Sequence, residues 1–523
     1  MKLDKNLLQR YTNAKDVTTQ WRSLLDEAYY FIQSNRNLWD QNSTTVNTPG
    51  EKKNRDVYDN TAALSARSLV SKLHSVLTPP FKRWGSLVSG SKIQNKDQLD
   101  QILYSANDVL YSYLHQSSVD VAISEAYSDL IFGTGCIKID EGPDNSPLQF
   151  SAVPTHNAYF EEDSKGRIRS VWRDYEPLAL RQIRANWPDA TIPENIISMS
   201  SGNEEAKYDV FEGTIYDEEK DKYSYKVILC KDNEVILEDD EMDSSPWIVF
   251  RWSRLPGDVL GRGPAIEMLP TIRSLNKMVE YLVMGTAFSV YPPMFGYSDG
   301  VFNPSNARVE PGTIITISNM SASRPPLQPL NIQPNLSYAE MMIEGYRNDI
   351  RQAFLVNPFN MPQKTPEQTA TEVTLKQEAF VEEVGPSFGR FEVEFLTPLI
   401  KRCVYILKKK GLFPPIELDG KEVSIKYESP LIQSQNDEDI MAFTKAYQTL
   451  AGVFTPQMAI GTVNIPEVVP WIAEKSGTDP SLFRDSDQIK RLAAQVNQVV
   501  GQQLPQAQPQ AQQIPELAGQ PQQ

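Results

Sequence analysis

The chain's 523 residues are enough to bury a large core and to form three or more structural regions. With 40% hydrophobic and 23% charged residues, it has the composition of an ordinary soluble globular protein. Its 67 carboxylates against 51 lysines and arginines leave a formal charge of −16, which argues against uniform wrapping of DNA or attraction to an anionic membrane. Three cysteines, Cys136, Cys230 and Cys403, lie far apart with no metal or redox spacing, as expected of a reducing compartment. The N-terminal sequence lacks the apolar core of a signal peptide. The greasiest stretch, Tyr281 to Phe295, is too short for a membrane span and is broken by Pro292-Pro293.

Up to about residue 135 the chain reads as helical. Lys5 to Ser34 carries an aromatic-rich helix with Trp21, Leu24, Leu25 and Tyr29. Asp59 or Asn60 caps a second helix with the stripe Ala62, Ala66, Leu69, Leu73 and Val76, stopped by Thr78-Pro79-Pro80. Leu99, Ile102, Ala106, Leu110 and Tyr113 mark a third, and Val119 to Phe132 a fourth, ended by Gly133-Thr134-Gly135. From Cys136 to Ser253 the apolar period shifts toward two. Strands are predicted at Phe150 to Val153, Ile168 to Tyr175, Val210 to Tyr216, Tyr223 to Leu229 and Trp247 to Trp252. Hairpin turns fit Asp163 to Gly166 and Lys231 to Glu234, and a helix fits Pro177 to Trp187.

Gly261-Arg262-Gly263-Pro264 opens a helical run to Val290 with the stripe Leu269, Ile272, Leu275, Val279 and Leu282, split at Pro270. Residues 291–335 are loop-rich and proline-rich, with Arg308 to Ser318 expected as a strand or hairpin. Ser337-Tyr338-Ala339-Glu340 is a capping box that opens a second rod, with Met342, Tyr346, Ile350 and Phe354 on one side and Asn357-Pro358 at its end.

A short loop, Asn357 to Lys364, leads to Thr365-Pro366-Glu367-Gln368, the start signature of a long helix. Phe380, Val384, Phe388, Phe391, Phe395, Leu399, Cys403 and Ile406 draw one stripe along it. Gly385-Pro386 should bend it, and Lys408-Lys409-Lys410-Gly411 should close it. A straight helix of that length would span roughly 65 Å, more than a small domain needs. A strand at Lys421 to Glu428 and helices at Asp437 to Gly452 and Asp485 to Val500 follow, then a low-complexity Gln/Pro-rich tail. No repeat of 20–50 residues is apparent.

Catalytic chemistry has no visible home. There is no phosphate loop and no nucleophile elbow, and Gly133-Thr134-Gly135 and Gly261-Arg262-Gly263 lack the third glycine of a dinucleotide fingerprint. His74, His115 and His156 have no metal-ligand spacing. Glu238-Asp239-Asp240-Glu241 reads as a solvated loop, and Asp437-Glu438-Asp439 as a helix N-terminus. No catalytic residue, metal or cofactor is expected.

The order of rod, irregular module, rod, short loop and kinked helix resembles the portal proteins of tailed bacteriophages, in particular the head-to-tail connecting family of short-tailed phages. The resemblance rests on YDNTAALSARSLVSKLHSVLTPPFKRW at 58–84, PWIVFRWSRLPGDVLGRGPAIEMLPTIRSLNKMVE at 246–280 and TATEVTLKQEAFVEEVGPSFGRFEVEFLTPLIKR at 369–402, and spans residues 10 to 475. It implies an α+β, mainly helical portal architecture of wing, stem, clip and crown, assembling as a ring, usually of twelve copies, at one capsid vertex. The wing would be 1–260, the stem helices 261–290 and 336–356, and the clip 291–335. The tunnel loop would be 357–365, the kinked wing helix and its strand 366–428, the crown 429–502 and the tail 503–523.

The resemblance further implies a channel for double-stranded DNA, lined at the loop by Asn357, Phe359, Asn360, Met361, Gln363 and Lys364. Stem packing would fall to Leu269, Ile272, Leu275, Val279, Leu282, Tyr346, Ile350 and Phe354, so that a charge at Leu275 or Ile350 is expected to abolish assembly rather than folding. Docking of terminase and then a tail adaptor would fall to Phe302, Asn303, Arg308 and Arg324. Major capsid, scaffolding and internal core or ejection proteins are the other expected partners, and no membrane. Net acidity suits a passage that lets DNA slide without gripping it. The alternatives are a nuclease or packaging motor, which would need a phosphate loop or carboxylate cluster, and another structural ring such as a tail adaptor, usually a much shorter chain.

Overall fold

A computed structural model describes residues 5–34, 55–80, 82–89, 96–188, 190, 192, 204–230, 235–297, 314–317, 327–329, 336–356, 389–414, 423–427, 430–453 and 463–476. The chain divides into two compact units, Met1–Ser429 and Pro430–Gln523.

The helix expected over residues 5–34 is two helices, α1 (Lys5–Gln20) and α2 (Arg22–Ile32), interrupted at Trp21. The break has a local cause. The Thr18 and Thr19 hydroxyls bond back to the Ala14 and Lys15 carbonyls at 3.1 and 2.7 Å, a pattern that bends helices. α3 (Thr61–Leu77) starts where expected, with the Asp59 carboxylate accepting from the Thr61 amide at 2.8 Å. Leu77 rather than Val76 completes its buried stripe.

After β1 (Gly85–Ser89), helix α4 (Lys96–Gln116) corrects the expected face. Ile102, placed inside by periodicity, is 48% exposed, and the buried residues are Leu103, Ala106, Asn107, Leu110, Tyr111 and Leu114. Two polar residues set this rotation. The Asn107 amide pairs with both backbone groups of Leu87 at 2.9 and 3.1 Å, and the Tyr111 hydroxyl accepts from the Gly85 amide at 2.7 Å. α5 (Val119–Leu130) then ends at Gly133, whose φ of +130° suits glycine.

The strands between residues 134 and 251 form two antiparallel sheets. β2 (Thr134–Glu141) lies between β3 (Leu148–Ala152) and β10 (Trp247–Arg251). The larger sheet runs β4 (Ala158–Glu162), β5 (Ile168–Asp174), β7 (Lys207–Asp217), β8 (Lys222–Cys230), β9 (Val235–Met242), with β6 (Leu178–Ala179) on β7 and α6 (Leu180–Asn186) following β6. Alternation sends Val210 and Val227 to a core with Leu180 and Ile183, and their neighbours Phe211 and Ile228 to a core with Leu7 and Trp172. The acidic run at 238–241, expected to be a loop, is part of β9. Lys226 across the strand pair and Lys220 in the β7–β8 turn neutralise Asp239 and Glu241, each at 2.7 Å, which lets carboxylates occupy a strand.

Lys138 on β2 joins the two sheets by reaching Glu212 on β7 at 2.7 Å, with both side chains buried. The Tyr225 and Tyr175 hydroxyls donate to the same carboxylate at 2.6 and 2.8 Å. Burial disfavours the ionised Glu212, but the Lys138 and Arg173 charges outweigh it and hold its pKa below the usual value.

Helices α7 (Pro264–Glu267) and α8 (Leu269–Val290) break at Met268, so Pro270 sits in the first turn of α8, where its missing N–H costs nothing. β11 (Met294–Tyr297), β12 (Ile314–Ile317) and β13 (Leu327–Pro329) make a small sheet. α9 (Leu336–Ala353) is already helical at Leu336, so Ser337 is not its cap.

Of the long helix, the described part is a π turn at Glu392–Leu396 continuing into α10 (Thr397–Lys409). Phe391, Phe395, Leu399, Cys403 and Ile406 are buried as expected. Phe380, Val384, Phe388 and the Gly385-Pro386 bend lie outside the described residues. Periodicity alone did not foresee the π turn. It precedes Pro398, whose ring would collide with the carbonyl four residues earlier, and a widened turn removes that collision. Gly411, at φ +70°, closes the helix as expected. β14 (Val423–Tyr427) pairs with β1 across most of the chain.

The second unit contains α11 (Pro430–Val453) and α12 (Ile465–Ser476), packed through Phe443 and Trp471 and a 2.9 Å Lys475–Asp439 ion pair. The helix at Asp485 to Val500 and the tail lie outside the described residues.

Candidate functional site

The two glycine clusters that fail as a nucleotide fingerprint meet each other. A Cβ on Gly133 would lie 2.1 Å from the Gly261 carbonyl oxygen, one on Gly261 2.2 Å from the Gly133 oxygen, and one on Gly263 2.1 Å from the Ile131 oxygen. Only glycine permits so close a backbone crossing. The Gly261 amide donates to Thr134 Oγ1 at 2.9 Å and the Ala265 amide to the Ile131 carbonyl at 3.2 Å. The start of the α7–α8 run is thereby bolted to the end of α5.

Beside this crossing Arg251 is enclosed, with 1% of its side chain exposed. It donates to Glu162, to Glu394 Oε1 at 2.7 Å, and to the carbonyls of Val259 and Gly166 at 3.1 and 3.0 Å. Arg254 donates to the second Glu162 oxygen at 2.7 Å. Arg262 pairs with Asp258 at 3.1 Å and lies over the Trp21 ring at 4.8 Å. Burial alone would lower the Arg251 pKa, yet the hydrogen bonds and charge of Glu394, then Glu162, raise it. The string R-W-S-R-x-P-G-x-x-x-G-R-x-P is therefore a structural lock joining both sheets, the π turn and the root of α8.

From that root α8 packs against α9. Leu269, Ile272, Leu275 and Val279 are buried, as are Ile343, Ile350 and Phe354, while Leu282 and Tyr346 are half-buried. Because this burial exists within one chain, Leu275 and Ile350 are intramolecular core. The expectation that a charge there would spare folding is corrected.

Among the described residues, polar ties hold α8 and α9 to the N-terminal region. Arg273 pairs with Glu27 at 2.8 and 2.7 Å. The buried Asn276 amide accepts from the Tyr58 amide at 2.7 Å and donates to the Asp56 carbonyl at 2.9 Å. Arg347 donates to Asp59 at 2.9 Å. Burial pushes the Asp59 pKa up, but bonds from Thr61 and then Arg347 leave it lowered. Sequence reasoning missed these ties because each joins a polar residue of α8 or α9 to a segment more than two hundred residues distant.

Beyond Val279 several apolar side chains are exposed. Tyr281, Val283, Met284, Val290 and Tyr291 are 57, 54, 46, 79 and 62% exposed, and on α9 Tyr338 and Met341 are 58 and 65% exposed. The expected loop residues Asn357, Phe359, Asn360, Met361, Gln363 and Lys364, and the expected docking residues Phe302, Asn303, Arg308 and Arg324, lie outside the described residues. Among the described residues, no group of three or more His, Cys, Asp or Glu is placed to hold a metal, and no helix is long and apolar enough to cross a membrane.

The family model described as bacteriophage head to tail connecting protein matches residues 4–483. The chain belongs to that family. A head to tail connecting protein is a structural component of the virion, and the function here is that of a viral portal at the capsid vertex. The chain is 21% identical to the probable portal protein of Bordetella phage BPP-1, over 94% of this chain and 90% of the relative. It is 22% identical to the portal protein of Salmonella phage epsilon15, over 84% and 82% respectively. A solved structure described as the virion of a native gene transfer agent particle aligns over 82% of this chain and 92% of that one, at 11% identity and a TM-score of 0.33.

Proposed function

We propose that this connector assembles as a ring of twelve copies whose stem helices surround a channel for double-stranded DNA. The carrying observation is the exposed apolar surface at the far end of α8, where Tyr281, Val283, Met284 and Val290 are 57, 54, 46 and 79% exposed. A ring contact is heterologous, so each copy must offer two different surfaces, and α8 and α9 each present apolar residues at this end. In the ring, residues 357–364 form a narrow collar around DNA, apolar at Phe359 and Met361 and modestly basic at Lys364. An apolar collar seals without strong phosphate binding, which suits genome packaging, retention and ejection. The clip, 291–335, docks terminase and later the tail adaptor through Phe302, Asn303, Arg308 and Arg324. Residues 429–502 form the crown, and scaffolding, major capsid and internal core or ejection proteins are the other partners. The ring carries no ATPase or nuclease activity of its own, and assembly takes place in the host cytoplasm.

The test replaces Tyr281 and Met284 together with Glu. Folded chains that fail to form rings by native mass measurement and negative-stain microscopy are the expected result. Rings of normal mass would overturn the interface.

A further inference from the structure

The chain leaves α9 by an unusual route. The Val356 amide bonds the Arg351 carbonyl at 2.8 Å and the Leu355 amide the Gln352 carbonyl at 2.9 Å. This is the paired closure that normally places glycine at the left-handed position. Here the position is Leu355, at φ +55°. The same closure after α10 uses Gly411. Leucine in this conformation is strained by its Cβ and persists only where the surroundings over-determine it. The surroundings do so twice. Leu355 is 5% exposed and Phe354 fully buried, so the side chains are pinned. Lys72, reaching across from α3, donates to the Leu355 carbonyl at 2.6 Å and the Val356 carbonyl at 2.8 Å.

Those two carbonyls are not the helix's own unpaired ones. The last helical residue is Ala353, and the carbonyls of Ile350, Arg351 and Gln352 already accept from the closing turn. Lys72 thus grips the backbone after the helix has ended. A lysine whose only task was to oppose the helix dipole needs no such reach.

We propose that Lys72 is a positioning residue that fixes the direction in which the chain leaves the second stem helix, and so aims the channel loop of every copy at the axis. This rests on the reading above that the segment after Val356 lines the channel. α3 packs on α9, so the clamp also ties the exit to the wing. Movement of the wing relative to the stem would be transmitted to this point through the Lys72 ammonium.

The test uses full-length Lys72→Met, which keeps most of the aliphatic stem but removes the donors, and Lys72→Arg, which restores them. In assembled rings of Lys72→Met, amide exchange at Leu355 and Val356 should rise about tenfold or more, with the helix interior unchanged, and Lys72→Arg should restore protection. Phage carrying Lys72→Met should form normal rings and heads yet retain less full-length genome, again rescued by Arg. Unchanged exchange at Leu355 and Val356 would overturn the clamp. Faster exchange with normal genome retention would overturn the aiming role, provided that deleting Phe359 to Met361 does impair retention. If that deletion is harmless, the loop reading itself fails, and the exchange result still decides the clamp. Should Lys72→Met not yield soluble protein, Lys72→Gln, which keeps one short donor, takes its place: exchange equal to that of Lys72→Arg would refute the proposal.

Discussion

Lys138 and Glu212 meet at 2.7 Å across two different sheets, with 6 and 0% of their side chains exposed. The pair tells each sheet where the other must be, because a partner missing on either side leaves a charge in the interior. Glu212→Gln or Lys138→Met alone should destabilise the folded chain by about 3–5 kcal/mol. The double replacement Lys138→Met with Glu212→Gln should cost less than the sum by at least about 1 kcal/mol. Denaturant titration of all four proteins measures this, and simple additivity would refute the coupling.

Asp59 makes a pH-dependent contribution. Its folded-state pKa is lowered, so the stabilisation is fully present above the unfolded value, near about pH 4, and is lost as pH falls through the lower folded value. Asp59→Asn should therefore cost about 1 kcal/mol at neutral pH, discounted for the partly exposed Arg347. The gap between wild type and variant should shrink below about pH 4. A gap that widens on acidification would contradict the sign.

Leu275→Asp and Ile350→Asp should fail as folding mutants. Each puts a carboxylate into a site 1 and 0% exposed, with a penalty of several kcal/mol. Soluble yield and far-ultraviolet circular dichroism are the readouts. A folded monomer that merely does not assemble would restore the expectation drawn from the sequence.

Gly261→Ala should lower the melting temperature by several degrees or abolish folding, since the added Cβ would sit 2.2 Å from the Gly133 oxygen. Neither backbone can retreat without breaking the Trp252 amide bond to the Gly133 carbonyl at 2.9 Å. A variant with unchanged melting temperature would mean the crossing is looser than its geometry.

Elements with strong periodicity were legible from the residues alone. The stripe from Phe391 to Ile406, the helix at Val119 and the strand pair Val210 to Leu229 stand where the apolar spacing puts them. Failures came where polar groups did the positioning. Asn107 and Tyr111 lie on the buried side of α4 that the expected stripe left out, and lysines pairing with β9 accompany an acidic run that forms a strand. The second segment of the family resemblance was legible as a signature but not as a mechanism. Nothing in the string around Arg251 announces Glu394, which lies 143 residues onward. Helix periodicity likewise cannot say whether an apolar stripe serves its own chain or a neighbour, and only burial within one copy separated Leu275 from Tyr281.

The pairing of β1 with β14 imposes an order on biosynthesis. Leu77, whose carbonyl receives the Tyr427 hydroxyl, is made 350 residues before its partner. At about 5–20 residues per second that separation is a wait of tens of seconds on the ribosome. Throughout it, β1 presents an open hydrogen-bonding edge with Leu87 uncovered by β14, a template for pairing with the wrong chain. Neighbouring ribosomes on one message would bring many such edges together at once. Chaperone demand during virus production should peak over this interval, and a ribosome stalled before residue 423 should leave an aggregation-prone fragment.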